Sequence, residues 1–222
     1  MKKLIIELVR LFEAKRNPEI AQAQEAYMRN QFAYFGIKSP DQKILIATAL
    51  TMHPLSTEQE VIDVVTQLWN AKERELHYAA FRIAIKYKKL LTPLFIPVAQ
   101  QILLTHSWWD TVDAISSNLV GNLVSRYPTL TTVMDQWIRH ENLWLRRSAL
   151  LHQLMYKDKT DEKRLFSHCK QLMHEKDFFI RKAVGWALRQ YSKTHPTAVK
   201  SFIEENRSFL SPLSIKEGSK YL

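Results

Sequence analysis

The chain has 222 residues, of which 46% are hydrophobic and six are tryptophan, and this composition excludes an intrinsically disordered protein. Its formal net charge is +10, and its one cysteine, Cys169, excludes intramolecular disulfides and a cysteine-rich zinc site. No segment reaches the roughly 18 consecutive apolar residues of a membrane span, so we expect no membrane partner and a location in the reducing cytoplasm, at the nucleoid when the protein is on DNA.

Helical patterns run along nearly the whole chain. The N-terminal segment MKKLIIELVRLFEAKR resembles a signal peptide only briefly, because Glu7, Arg10 and Glu13 interrupt it, and its spacing predicts an amphipathic helix. Prolines and small polar residues then break the pattern at Pro18, Ser39-Pro40, Pro54, Pro93, Pro128, Pro196 and Ser211-Pro212. These breaks predict about a dozen helices of roughly 12–18 residues. The longest irregular stretch is AYFGIKS, residues 33–39.

A repeat with a period of 35 residues is visible without gaps. It aligns RELHYAA from Arg74, WDTVDAI from Trp109, WLRRSAL from Trp144 and FIRKAVG from Phe179. A period of this length built from helices is typical of α-solenoids. The tetratricopeptide pattern is absent, so we predict an all-α, HEAT-like repeat solenoid with a concave basic groove, as a single domain over residues 1–222.

The positive charge is concentrated in the C-terminal part of the chain. Residues 141–222 contain 16 lysines and arginines against 9 acidic residues, a net charge of +7, whereas residues 1–140 have a net charge of +3. A basic surface attracts polyanions, and nucleic acid is the foremost of these. The charge alone is equally compatible with a solvated basic face.

Two copies of the repeat place tryptophan away from the packing stripe of a helix. Trp109 and Asp113 are one turn apart and point about 100–140° from the stripe that Val112 and Ile115 share. Trp186 points nearly opposite the packing stripe of its own predicted helix, and Lys182 and Arg189 lie beside it on that face. A helix face of this kind is typical of a binding surface and not of a core.

Four segments carry distinctive motifs: YMRNQFAYFGIKSPDQK (27–43), SWWDTVD (107–113), WLRRSALLHQLMYKDKTDE (144–162) and FFIRKAVGWALRQYSKTHP (178–196). These segments closely resemble the AlkD-type DNA alkylation repair proteins, which are HEAT-like repeat DNA glycosylases. The resemblance implies excision of N3- and N7-alkylated purines from duplex DNA, with Asp113, Trp109 and Trp186 as catalytic residues.

The resemblance also implies residues along the DNA. The second arginine of WLRR, Arg147, falls on a phosphate contact, and Tyr27 and Arg189 match positions beside the duplex. Lys38 and Lys182 complete the predicted DNA-binding set. We expect a monomer that needs no cofactor or metal, because His168, Cys169 and His174 lack the spacing and fourth ligand of a zinc site.

Structural roles compete with these assignments. Trp109 and Trp186 are alternatively packing residues, Asp113 a surface or capping carboxylate, and Arg147 an ion-pair partner of Asp113 or of another acid. The lysines and Arg189 are alternatively solubilising. Two rival functions follow: a non-catalytic protein that binds distorted or branched DNA, and a protein–protein scaffold. Trp69, Trp108 and Trp137 are assigned to packing.

Overall fold

The computed structural model describes residues 1–222, which are helical apart from turns, loops and an isolated bridge between Ala33 and Glu73. The chain forms two compact units, Met1–Val98 and Ala99–Leu222. The helices are α1 (Lys2–Glu13), α2 (Pro18–Tyr27), α3 (Ser39–Met52), α4 (Glu58–Trp69), α5 (Arg74–Lys86), α6 (Ile96–Leu104), α7 (Trp109–Ile115), α8 (Gly121–Arg126), α9 (Thr131–Trp137), α10 (Leu143–Leu151), α11 (Glu162–Leu172), α12 (Phe178–Ser192), α13 (Pro196–Glu205) and α14 (Pro212–Gly218). The predicted single domain over residues 1–222 stays a prediction.

The first helix is amphipathic, as predicted. In α1 the side chains of Leu4, Leu8 and Phe12, each four residues after the last, are at most 1% exposed. Prolines stand in the first turn of later helices, where the missing N–H has no intrahelical partner to lose. They begin α2, α13 and α14 and the short 3₁₀ turns that precede α6 and α9.

The helical repeat is confirmed. Six helices begin about 35 residues apart, namely α3, α5, α7, α10, α12 and α14. In the first unit α4 packs against α5; in the second, α10 packs against α9 and α11, and α12 against α11 and α13. We call these six the repeat-start helices. Those of the second unit lie side by side, since α10 contacts α7 and α12, and α12 contacts α14. The helices have 6 to 15 residues; α1, α3, α4, α5 and α12 have the predicted length of 12–18 residues, and the other nine are shorter.

The irregular segment before α3 is held in place by a buried carboxylate. It runs from residue 28 to 38, longer than predicted. The Glu75 carboxylate, with the residue fully buried, accepts the backbone N–H groups of Phe35, Gly36 and Ile37 at 2.9–3.1 Å. Gly36 has φ +86°, and a Cβ there would lie 2.0 Å from the Asn17 carbonyl oxygen, so only glycine fits.

None of the helices is both long enough and apolar enough to cross a membrane. The one cysteine, Cys169, lies on the inner side of α11 and is fully buried. Burial raises the pKa of its thiol, because the thiolate would lose its hydration.

Candidate functional site

Helix α7 presents two faces, as its sequence pattern indicates. Val112 and Ile115 are fully buried in the core of the second unit. Trp109 and Asp113 lie away from this stripe and are half-buried, with the Asp113 side chain 17% exposed. The carboxylate therefore reaches the surface from a helix whose other side is fixed by packing.

A buried arginine holds the Asp113 carboxylate. Arg147 of α10, only 1% exposed, donates from Nε and Nη2 to the two oxygens of Asp113 at 2.7 and 2.8 Å. Its Nη1 donates to the backbone carbonyl of Phe179, at the start of α12. One guanidinium thus joins three successive repeat-start helices, and its planar fork fixes the orientation of the carboxylate.

Two opposing effects act on the Asp113 carboxyl group. Burial raises its pKa above the ordinary value, and this effect exceeds the lowering by the hydrogen bonds and charge of Arg147. The charge of Asp110, one turn earlier, also raises the pKa. Without Arg147, burial would favour the neutral acid still more strongly.

The helix that carries Asp113 continues through a π-helical turn, Ser116–Val120, into α8. Three consecutive side chains donate back to carbonyls four residues earlier: Ser116 to Val112 at 2.5 Å, Ser117 to Asp113 at 2.8 Å and Asn118 to Ala114 at 3.1 Å. Side-chain bonds of this kind to the preceding turn accompany local departures from α-helical geometry, and π turns are frequent at functional sites.

Three cations surround the half-buried ring of Trp186. The guanidinium carbons of Arg147 and Arg189 lie 5.5 and 5.6 Å from the ring centroid, and the Lys182 ammonium lies 6.0 Å from it. These distances are within the range of cation–π attraction. Because Arg147 also bonds Asp113, the ring of Trp186 adjoins the carboxylate site.

A glutamate of the last helix binds two of these cations. Glu217 of α14 accepts a hydrogen bond from Lys182 at 2.7 Å and one from Arg189 at 3.0 Å, and Lys220 lies 3.2 Å away. The hydrogen bond from Lys182 is the main cause that lowers the pKa of Glu217 to about 2. The side chain is 7% exposed and ionised at neutral pH.

Sequence reasoning missed Glu217, although a signal for it exists. One further step of 35 residues from Phe179 reaches Ser214 and aligns Glu217 with Lys182. The missing side chain of Gly185 leaves room for α14, since an added Cβ would lie 2.5 Å from the Cβ of Glu217.

The structure brings together five predicted residues, which are Asp113, Arg147, Lys182, Trp186 and Arg189. Trp109 lies one turn before Asp113 on α7. For Arg147, the structure shows the alternative interpretation, the ion pair with Asp113. A phosphate contact would require the buried guanidinium to leave its partners, so that contact stays a prediction.

The other two predicted DNA contacts lie in the first unit. Tyr27 ends α2 and is 73% exposed, and Lys38 is an exposed residue directly before α3. Both side chains are therefore at the surface. Their contact with DNA stays a prediction.

The remaining tryptophans and the histidine–cysteine group have packing roles. Trp69 and Trp137 are at most 3% exposed, and Trp108 packs its ring 5.0 Å from that of Phe179. His168 lies 3.1 Å from Asp135. No group of three or more His, Cys, Asp or Glu side chains is arranged to hold a metal ion.

A family model of DNA alkylation repair enzymes matches residues 8–222. The chain belongs to the DNA alkylation repair enzyme family. A solved structure of a predicted DNA alkylation repair enzyme from Enterococcus faecalis is 34% identical, covers 93% of this chain and 96% of that one, and has a TM-score of 0.86. A comparison with curated proteins found no match.

Two more distant structures, both from Streptococcus mutans, share the fold. AlkD2 is 16% identical with a TM-score of 0.64, and the match covers 91% of this chain and 99% of that one. The protein smu.31 is 15% identical with a TM-score of 0.60, covering 92% and 98%. Membership of the DNA alkylation repair enzyme family makes DNA the partner of this chain.

Proposed function

We propose that the protein is a monofunctional DNA glycosylase that excises cationic N3- and N7-alkylated purines, 3-methyladenine and 7-methylguanine, from duplex DNA in base excision repair. One observation carries the proposal. The buried Arg147 holds the partly exposed Asp113 carboxylate in a fixed orientation next to the Trp186 ring. A basic protein that binds DNA gains nothing from a carboxylate at its surface unless that carboxylate meets a positive charge.

The proposed reaction creates such a charge. As the N-glycosidic bond breaks, its electron pair leaves with the purine and positive charge develops on the sugar. Water adds to the sugar carbon and gives up a proton to the Asp113 carboxylate, and the base departs neutral. At about 4 Å and an effective dielectric of about 20, one charge pair contributes about 4 kcal/mol, which is roughly a thousandfold in rate. An alkylated purine is already cationic, so it needs no general acid.

The contacts of Asp113 leave it able to act in this way. A carboxylate has about four lone-pair directions, and the two hydrogen bonds from Arg147 use two of them. The others are available to orient the attacking water, because the side chain is partly exposed. Trp109 and Trp186 flank the damaged nucleotide and exclude bulk water from it.

The test is the substitution Asp113→Asn, which keeps the shape of the side chain and removes its charge. We expect the single-turnover release of 7-methylguanine to fall roughly a thousandfold, with affinity for undamaged duplex retained. Asp158→Asn is the matched control, because Asp158 is an exposed aspartate in a short 3₁₀ turn of the same unit. Release at the wild-type rate by Asp113→Asn would disprove the role of Asp113.

One observation favours the rival function, a non-catalytic protein that binds distorted or branched DNA. Arg147 neutralises Asp113, so this carboxylate repels DNA less than an unpaired one would. The release assay separates the two functions. If the wild-type protein binds distorted duplexes and releases no alkylated base, the rival function is the correct one.

A further inference from the structure

We infer that Glu217 is a positioning residue that fixes Lys182 and Arg189 beside Trp186 as a paired site for one phosphodiester group of DNA. The inference rests on the proposed function, since it assigns that phosphate to the nucleotide bound at Asp113. It adds a residue of α14 to a site that sequence patterns confine to α7, α10 and α12.

The two oxygens of Glu217 are divided between the two cations, Oε1 accepting from Lys182 and Oε2 from Arg189. The two cations are seven residues apart, two turns along α12, and lie on one face of that helix. A single buried carboxylate between them sets their separation.

Close packing of α14 against α12 places Glu217 between the two cations. Gly185 lies between the two cations in the sequence of α12, and its missing side chain gives α14 its place. A Cβ at Gly185 would lie 2.5 Å from the Cβ of Glu217 and 3.0 Å from the Ser214 carbonyl oxygen. The close approach of the two helices thus delivers the carboxylate to the cations.

The positive charge around Trp186 favours a phosphate over a cationic base. Three cations already lie within 6.0 Å of its ring centroid. A cationic base placed on this ring would be repelled by them, whereas a phosphate would be attracted. Glu217 cancels one of the charges of Lys182, Arg189 and Lys220, so the cluster keeps a net positive charge. The developing positive charge belongs at Asp113 and the phosphate belongs at Lys182 and Arg189.

Lys182 and Arg189 keep hydrogen-bond donors for a phosphate. An ammonium has three N–H donors and a guanidinium has five, and each of these side chains gives one hydrogen bond to Glu217. Both side chains are 27% exposed. Long basic side chains lose rotamer freedom when they bind, and Glu217 makes that loss occur before the DNA arrives.

Simple charge counting predicts the opposite of this inference, which makes it testable. Glu217→Gln raises the net charge by one, so counting predicts tighter DNA binding and a steeper salt dependence. Positioning predicts that one phosphate contact is lost. The plot of log binding constant against log salt concentration for undamaged duplex then becomes shallower by about one, and release of 7-methylguanine slows by about tenfold.

The matched control is Glu175→Gln. Glu175 pairs with Arg146 at 2.7 and 2.9 Å in the same unit, so the variant loses the same charge and an ion pair without touching the cations at Trp186. We expect its salt dependence and release rate to stay within about twofold of wild type. An unchanged slope in Glu217→Gln, or the same slope loss in Glu175→Gln, overturns the inference.

The base-release assay tests the proposed function, and the salt dependence of DNA binding tests this inference, so the two can fail separately. If the wild-type protein releases no base, the proposed function fails, and the salt dependence on undamaged duplex still decides whether Glu217 positions a phosphate site. If Glu217→Gln does not fold, Glu217→Asp replaces it, because it keeps the charge and withdraws the carboxylate by one methylene group from Lys182 and Arg189, so charge counting predicts no change. A slope shallower by about one supports the site, and an unchanged slope overturns it.

Discussion

Burial and Arg147 have opposite effects on the pKa of Asp113, and their balance sets the pH range in which the proposed site can work. Burial favours a neutral carboxylic acid, and the bidentate arginine favours the carboxylate that the proposed reaction needs. Removing one partner of such a pair leaves a buried charge uncompensated, at a cost of about 3–5 kcal/mol. Arg147 therefore contributes to the fold and, through Asp113, to the proposed chemistry.

The opposition predicts an acid limit to activity. Since only ionised Asp113 can stabilise the sugar cation, release should fall as the pH drops through the pKa of Asp113, which lies above the ordinary value. Arg147→Lys keeps the charge but loses the bidentate geometry, so the pKa of Asp113 should rise and the acid limb should move to higher pH. Single-turnover rates of 7-methylguanine release between about pH 4 and pH 8 measure the acid limb of the wild type and that of Arg147→Lys.

The control for this profile is the uncatalysed loss of the base at each pH, which is subtracted. Circular dichroism at the same pH values shows that the variant is folded. An acid limb at the same pH in wild type and Arg147→Lys would mean that a group other than Asp113 limits the rate.

At the scale of single residues, the sequence predicts the direction in which a side chain points better than it predicts the group that the side chain contacts. Helical spacing places Trp109 and Asp113 off the core stripe because the angle per residue is fixed. The partner of Asp113 is 34 positions away, and two acceptable roles for Arg147 follow from the same repeat. Only the packing of α10 against α7 decides between them.

Helices α12 and α14 approach each other closely, and small side chains allow it. Gly185 faces α14, and Gly218 of α14 faces Leu188 and Ile203. Their environments differ, because the neighbours of Gly185 include backbone and those of Gly218 are side-chain carbons alone. Backbone cannot move aside as a side chain can.

This difference predicts an unequal cost of adding one methyl group. Alanine is a better helix former than glycine by about 1 kcal/mol, yet overpacking typically costs about 1–3 kcal/mol. We expect Gly185→Ala to lower the free energy of unfolding, measured by urea denaturation, by about 1–3 kcal/mol. Gly218→Ala should cost less, because its closest neighbours are side-chain carbons at 3.2 and 3.3 Å.

Gly218→Ala serves as the control for the general effect of alanine in this helix pair. If Gly185→Ala were as stable as wild type, α14 would not need the space above Gly185, and the packing that places Glu217 would need another cause.

At the scale of elements, the 35-residue period predicts where helices begin, because it records where each repeat starts to pack. It does not predict where they end. The π turn after Ile115 depends on hydrogen bonds from Ser116, Ser117 and Asn118, which look like ordinary helix residues in the sequence. The segment before α3 depends on Glu75, some 40 residues later in the chain.

The charge of +10 is a property of the whole molecule, and its main consequence is the range of partners. Positive charge attracts nucleic acid whatever its sequence, through the phosphates. Much of the basic surface is nevertheless paired within the protein, as the contacts of Arg146 and Arg189 show. The formal charge therefore overstates the number of cations that are available to DNA.

The salt dependence of DNA binding measures the number of cations that are available to DNA. Three predicted contacts, Lys38, Lys182 and Arg189, are cations with exposed or partly exposed side chains. Two phosphate contacts, one at Lys38 and one shared by Lys182 and Arg189, predict that affinity for duplex DNA falls roughly 12-fold between about 50 and 200 mM salt. Fluorescence anisotropy with an unmodified duplex measures it, and Asp158→Asn serves again as a folded reference.

A protein–protein scaffold predicts a different result. Its binding to DNA would be weak at all salt concentrations, and a triple variant with Lys38, Lys182 and Arg189 replaced by glutamine would bind DNA as the wild type does. Loss of salt dependence in the triple variant supports the assigned contacts.

The fully buried Cys169 has a practical consequence for observing this protein on DNA. Its raised pKa and its burial keep it from reacting with maleimide reagents while the chain is folded. A cysteine introduced at an exposed position, such as Met155, is then the sole reactive thiol, so a fluorophore can be attached at one chosen place without removing the native cysteine.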